Sequence, residues 1–572
     1  MAGSSLNAGS LVVRNYRDFR GVDFSNRKDE VSFYRSPDSV NMWKNYKNST
    51  GNCIETRPGM ELILEYGDTV YGMYLYDDNT AFVHSGTELW KDGDIIYENM
   101  ARHKSQFFVF NGKLYIKDGT NYLVYDGTVC KPVEGYIPTT TIGRNPQGGG
   151  TKYEDINFLT PMRKNQFLAD GEATEFYLDA ENIDSDYLPM VWANDEAVEI
   201  ESVDYEKGLV TLKTAPDAPL TVGQDNVVIQ FKKAVEGYRE RIEKCTLLEV
   251  FDNRVFFSGN PDYRNMLWHC ALNDPEYCRD LDYYTEGADD SSIKALVAGN
   301  NALWVMKEPS QSNTTIFYHN PTIDDEEGKI YPSTHSSIST GCVSTGINFL
   351  DDICFFSERG LEAISGDVTT EQVLVHRSTL VDNRLLNEYN GYKQLLLAEW
   401  SGYLLVCIDN RVYLADSRNM VTINNHNEYE WFYWELDRKV TGTYVKNGVL
   451  YLCADKQILT LTDTSDNRGV KAHWATMADE FGYPQLYKIS NKKAYVIDGT
   501  GTQIKMEIKK DYNEYTPIGT FTTKIKNIEK YYFKAKVKAK KFKSLQYKFS
   551  SNKPFSLVSF TAEAYLGSVV KR

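Results

Sequence analysis

Four lysines at every second position, Lys534, Lys536, Lys538 and Lys540, form the sharpest chemical pattern in this chain. They alternate with Phe533, Ala535, Val537 and Ala539. In a strand that spacing puts four ammonium groups on one face. Such a face either defends a solvated sheet edge against pairing or meets an acidic partner. We take these lysines as the candidate acidic-partner contact. Residues 521–572 carry a net charge of +11, which leaves −27 on the other 520 residues of a chain whose total is −16. Charge divided so unevenly points to two surfaces with different partners.

Patterns that would support catalysis are incomplete. A phosphate-cradling loop needs Gly-x-x-x-x-Gly-Lys-Ser/Thr, which is absent. Gly341-Cys342-Val343-Ser344-Thr345-Gly346 has two residues between Gly and Ser, one too many for a nucleophile elbow, and reads as the opening of a strand. His269, Cys270 and Cys278 supply two thiols and one imidazole without a fourth zinc ligand. The nine cysteines are scattered, and Cys354, Cys407 and Cys453 sit inside apolar strands as small hydrophobes. Asp463-Thr464-Ser465-Asp466-Asn467-Arg468-Gly469 resembles a calcium loop, but its Gly comes one place late and no distal Glu follows. Asp324-Asp325-Glu326-Glu327-Gly328 reads as a solvated acidic loop. The reading is a non-enzyme with no catalytic residue, no cofactor and no metal.

The elements that position these residues repeat. Asn300-Asn301-Ala302-Leu303-Trp304-Val305-Met306 has counterparts beginning at Leu350, Gly402 and Asn447, about every fifty residues. One hairpin cannot bury its own apolar faces, so the units must stack. Earlier hairpins turn at Asp77-Asp78-Asn79 and at Asn111-Gly112, and another unit starts at Arg254. The count predicts an all-β fold, a β-propeller of about seven blades, with six to eight open. Residues 1–66 read as an extended arm and first strand, 67–145 as the first blades and 238–470 as the remaining blades. Asn145-Pro146-Gln147-Gly148-Gly149-Gly150 reads as a flexible linker. Residues 152–237 read as an inserted Ig-like β-sandwich, and 471–572 as a C-terminal β-domain holding the basic strand. No apolar run is long enough to span a membrane as a helix, and residues 1–6 lack the basic and apolar regions of a signal peptide.

Several short motifs resemble structural proteins of tailed bacteriophages. They are Gly21-Val22-Asp23-Phe24, Ser36-Pro37-Asp38-Ser39-Val40-Asn41-Met42 and Arg57-Pro58-Gly59-Met60. Arg254-Val255-Phe256-Phe257-Ser258-Gly259-Asn260-Pro261 through Trp268 and Asp274-Pro275-Glu276-Tyr277 is similar to their middle region. Gly341-Cys342-Val343-Ser344, Phe355-Phe356-Ser357-Glu358-Arg359-Gly360-Leu361 and Lys541-Phe542-Lys543-Ser544-Leu545-Gln546 are similar too. The nearest class is the packaged-DNA stabilisation or tail-nozzle proteins of short-tailed phages. Met60 and Cys278 stand where such proteins commonly carry an aromatic residue. The resemblance implies a virion subunit at the head–tail junction, assembled in the host cytoplasm. It implies a homo-oligomeric ring, a hexamer, that extends the portal channel, contacts portal and tail proteins, and retains packaged double-stranded DNA until ejection. An acidic body suits non-specific DNA passage, because carboxylates repel phosphates. The alternative is a propeller that acts on carbohydrate or binds a host receptor, since propellers serve many functions.

Overall fold

Six of the repeats turn between their first two strands on a two-residue reversal in which both residues have positive φ. These pairs are Asn111-Gly112, Asp252-Asn253, Asn300-Asn301, Leu350-Asp351, Ser401-Gly402 and Asn447-Gly448. Positive φ at both positions is the type I′ turn, whose twist matches that of the flanking strands. Asn, Asp and Gly accept it at little cost. Leu350 and Ser401 are held in it by the ladders that close on either side, Phe349 opposite Asp352 and Trp400 opposite Tyr403.

The computed structural model describes residues 9–47, 53–77, 80–311, 314–324, 328–365, 372–391, 394–423, 426–462, 469–490, 496–511, 513–523, 531–532 and 539–567. These form two units, residues 74–341 and residues 1–73 with 342–572. Nearly every element is a strand; the described helices are Tyr238–Glu243 and Asp382–Tyr389. Seven four-stranded antiparallel arrays carry the repeat, an all-β propeller fold.

The first array joins Val70–Leu75, Ala81–Ser85, Glu88–Lys91 and Asp94–Glu98, and the second runs from Gln106–Phe110 to Cys130–Pro132. The third runs from Leu247–Phe251 to Tyr283–Thr285, and the fourth from Ile293–Gly299 to Ser333–His335. First strands of successive arrays lie side by side, as Leu247–Phe251 does with Ile293–Gly299. Tyr122, Phe257 and Trp268 share one core between the second and third arrays.

Between these arrays sits a sandwich of a six-stranded and a three-stranded sheet over residues 139–232. Phe167, Phe176, Val210 and Ile229 fill its core. The Asn145–Gly150 stretch is not the expected linker. It is a tight turn inside the sandwich, bridged by Gly148 N–H to Asn145 O at 2.9 Å and by Arg144 to Gly149 O at 2.6 Å. Its glycines report turn geometry here, not flexibility.

In the other unit, the fifth array runs from Gly346–Phe349 to Val373–His376 and the sixth from Leu395–Trp400 to His426–Glu435. The seventh takes Val440–Lys446, Val449–Ala454 and Gln457–Thr462 from one end of the chain. Its fourth strand, Gly59–Glu65, comes from the other end.

The described residues among the first 66 therefore carry paired strands rather than a free arm. Leu11–Arg17 pairs along seven residues with Phe555–Leu566. Asp38–Val40 pairs with Ala472–Ala475, and Met42–Trp43 lies between the sixth array and Ile54–Thr56. The C-terminal strands accordingly share one sixteen-stranded sheet with N-terminal strands and the sixth array, rather than standing as a separate domain. Their common core holds Trp43, Trp434, Trp474, Phe549 and Phe560. Sequence order hid these pairings because the partners are hundreds of residues apart.

Gly21 tests this weave. It has φ +141°, and a Cβ there would lie 2.2 Å from the carbonyl oxygen of Trp431. Gly21→Ala is expected to lower unfolding free energy by about 2–4 kcal/mol, from overpacking plus backbone strain. Urea denaturation of the two proteins side by side measures it; an unchanged midpoint would refute the close approach.

Candidate functional site

Of the candidate lysines, Lys534, Lys536 and Lys538 lie outside the described residues. Lys540 begins the strand Lys540–Phe542, which pairs with Lys488–Ser490. Ala539 and Phe542 beside it are fully buried. In the calcium-like loop only Gly469 is described. In the acidic loop Asp324 pairs with Gly328 across a short hairpin, and Asp325 to Glu327 lie outside the described residues.

Buried cations elsewhere are turned inward. Lys488 donates to the carbonyls of Tyr483, Leu486 and Lys543 at 2.7, 2.9 and 2.7 Å. Burial pulls its ammonium down to about 8. Lys307 donates to Glu286 O and Ala288 O at 2.8 and 2.5 Å, and Lys117 donates to Glu243 O. Lys117 and Lys307 close the second strands of their arrays, where Ser85, Ser258 and Ser357 stand in others. All five are buried. A buried lysine of lowered pKa is chemically a nucleophile. Here each ammonium hydrogen-bonds backbone carbonyls, so these groups tie loops to strands. Their sequence signal was an apolar run ended by Lys or Ser.

A titratable cluster at the fifth array contains Ser, His and Asp but is not wired as a nucleophile triad. His376 contacts Asp382 through Nε2 at 2.6 Å and Glu362 through Nδ1 at 3.2 Å. Ser378 Oγ donates to Asp382 at 2.6 Å and accepts the Leu361 N–H at 2.8 Å. A triad requires the hydroxyl on the imidazole, with the carboxylate behind it. Here the imidazole sits between two carboxylates and the hydroxyl is saturated. Gly360, at φ +126°, packs so tightly that a Cβ would meet both Asp382 and Ser378 at 2.5 Å. Burial opposes charge on His376, but the hydrogen bond to Asp382 and the close Glu362 carboxylate outweigh it and push the imidazole up to about 10. The cluster is an imidazolium clamp that pins the helix Asp382–Tyr389 to the fifth array.

A second buried pair, Arg35 and Glu430, is bidentate at 2.8 and 2.5 Å. Burial raises the Glu430 carboxyl and Arg35 counters it. A cavity of about 880 Å³ lies in the same unit, lined by Asn41, Arg57, Glu435, Asp437, Arg438 and Lys471 among others. Arg57 on its wall donates to Asn41 and to the Pro58 carbonyl, both at 2.9 Å. The nine cysteines are buried and free. Cys270 accepts the Val255 N–H at 3.0 Å, and burial pushes its thiol up to about 12. Among the described residues no group of three or more His, Cys, Asp or Glu is placed to hold a metal, and no helix is long and apolar enough to cross a membrane.

No protein-family model matches this sequence and no curated protein does. Among solved structures, the chain is similar to BamB from Moraxella catarrhalis at 10% identity, over 71% of this chain and 97% of that one, with TM-score 0.31. It is similar to YCF48 bound to D1 peptide at 8% identity, over 72% and 99%, with TM-score 0.33. It is similar to an exo-β-1,3-galactanase from Phanerochaete chrysosporium at 7% identity, over 55% and 94%, with TM-score 0.22. Likeness at this level carries no argument about function, and the fold rests on the strand pairing above.

The clamp has a pH signature. An unfolded imidazole titrates near 6.5 and the folded one near 10. Its stabilisation is fully present below pH 6.5, shrinks as pH rises above that, and is lost through pH 10. His376→Gln is expected to cost about 3–5 kcal/mol at pH 6, because it removes the cation held between the Glu362 and Asp382 carboxylates. The gap between variant and wild type should narrow steadily toward pH 10 in urea titrations; a gap independent of pH would show that the charge plays no part.

Proposed function

We propose that this chain is a structural subunit of a tailed-bacteriophage virion, a ring-forming nozzle or hub at the head–tail junction. In this role it extends the portal channel, contacts portal and tail proteins, retains packaged DNA and lets it pass on ejection. One observation carries the reading: the residues behind the phage resemblance form the frame of the fold. Asn41 accepts from Arg57 and from the Glu435 N–H, both at 2.9 Å, and donates to Lys471 O at 2.9 Å. It thereby joins the N-terminal strands, the sixth array and the C-terminal sheet. Asp23 accepts from the backbone and side chain of Asn26 at 3.0 and 2.9 Å. Arg254 donates to Cys270 O at 2.9 Å and Tyr331 at 3.2 Å. Trp268 is buried.

These residues recur in the resemblance as an architectural signature, and architecture is what a virion subunit supplies. The stapling of both chain ends into one sheet supports the same reading. A subunit under load resists peeling when its terminal strands are paired along their length.

Negative-stain microscopy and mass photometry of the purified chain, alone and with isolated portal rings, test the proposal. Rings, or a knob added on the portal axis, are expected. A chain that stays monomeric in both settings while releasing reducing sugars from polysaccharide would replace this reading with the carbohydrate-active one.

A further inference from the structure

One carboxyl sits on an apolar seam without a partner. Glu249 lies midway along Leu247–Phe251, the first strand of the third array. Period two puts its side chain on the same face as Leu247 and Phe251, and both of those pack into the core that the third and fourth arrays share. Its cross-strand neighbour Phe256 belongs to that core and is fully buried. From the fourth array the core takes Ile293, Leu296, Leu303 and Val305. Leu247–Phe251 also runs beside Ile293–Gly299, the first strand of the fourth array. An apolar residue at position 249 would complete the stripe, and the chain places Glu there.

The charged groups of the elements around this seam are committed elsewhere. Arg254, on the adjoining strand, donates to Cys270 O at 2.9 Å and to Tyr331 at 3.2 Å. His269, one strand further out, lies 3.0 Å from Cys270 O. At the turn, Asp252 holds Lys329 at 2.5 Å. In the fourth array Lys294 pairs with Glu308 at 3.0 Å, Lys307 donates to Glu286 O at 2.8 Å, and His319 lies 3.1 Å from the Glu286 carboxylate. The Glu249 carboxyl makes no hydrogen bond or ion pair with any described residue. Burial alone, with no neighbouring charge to oppose it, pushes that carboxyl up to about 7. The side chain is only partly buried, so water reaches it in the folded chain.

We propose that Glu249 is a proton-operated latch on the seam between the third and fourth arrays. Protonated, it is a neutral group that the apolar core tolerates, and the two first strands close on each other. Ionised, the carboxylate must keep its water, and it then opposes the packing of Leu247 and Phe251. The seam is tight in mildly acid solution and loosens above neutrality. The latch acts within one chain, whether or not copies form a ring.

Glu249→Gln, which keeps the shape and stays neutral, tests it. The unfolded carboxyl titrates near 4.5 and the folded one near 7. The ionised form therefore costs no stability below pH 4.5, a growing amount between pH 4.5 and 7, and its full amount above 7. In urea titrations at pH 8 the folding equilibrium constant of Glu249→Gln is expected to exceed that of wild type by about a hundredfold. At pH 4 the two proteins should coincide. His376 is common to both and cancels in the comparison. Hydrogen exchange read by mass spectrometry locates the effect. From pH 6 to pH 8, protection of Leu247–Phe251 and Ile293–Gly299, corrected for intrinsic exchange, should fall in wild type and hold in Glu249→Gln. Glu249→Leu, which completes the apolar stripe, should behave as the Gln variant does. A stability difference that ignores pH, protection of the two strands that does not change in wild type, or failure of both variants to fold would overturn the latch.

Discussion

One pairing constrains the rest of this molecule: Gly59–Glu65 against Gln457–Thr462. A three-stranded array leaves its last strand without a ladder partner and its apolar face open. The chain closes that gap with a strand from its own beginning. Gly59 and Glu65 must then be carried to the seventh array by the residues before them, and those residues take up fixed positions in turn. Asn41, at φ +58°, and Arg57 form the hinge of this path. Their hydrogen bonds to Glu435 and Lys471 make the N-terminal strands a joint between the sixth array and the C-terminal sheet. Closure joins residues roughly 400 apart, so its loop entropy must be met before the last array gains its fourth strand.

The buried charges answer a more local need. Where loops pack against strand ends, their carbonyls leave water. Each needs a donor, because an unsatisfied buried carbonyl costs about 1–3 kcal/mol. Lys117, Lys307 and Lys488 reach those carbonyls with long side chains. His376 does the reverse, satisfying Glu362 and Asp382 where helix and array meet. Chemically potent groups are abundant in this chain, yet those described in detail above are engaged with the fold itself.

What was legible in the sequence follows the range of the interaction. Asn-Gly and Asp-Asn reversals between apolar runs announced the hairpins, because turn geometry depends on two adjacent residues. The inserted sandwich was visible in its alternating strands, but its edge was misplaced. Thr139–Arg144 pairs parallel to Met162–Phe167, and a local pattern cannot distinguish a strand entering a new sheet from one leaving an old blade. Leu11–Arg17 and Asp38–Val40 read as an arm for the same reason: their partners lie near residues 560 and 474. The imidazolium clamp was equally hidden, since neither His376 nor Glu362 belongs to a motif. The Lys534 to Lys540 alternation was plain in the sequence, because period two needs only adjacent residues.

Glycine placement shows how little slack this arrangement leaves. Gly21 admits the carbonyl of Trp431, and Gly360 admits Asp382 and Ser378. Gly21 joins segments far apart in sequence, and Gly360 joins a strand to the helix that follows its array, each at a spacing that no Cβ permits. Strand closure and close approach are therefore one constraint seen at two scales. The sequence itself divides charge unevenly, with seventeen Asp and Glu against seven Lys and Arg over residues 139–232 and a net +11 over residues 521–572. In the proposed ring, unlike charges on one chain would make head-to-tail contact between copies more favourable than contact of like with like.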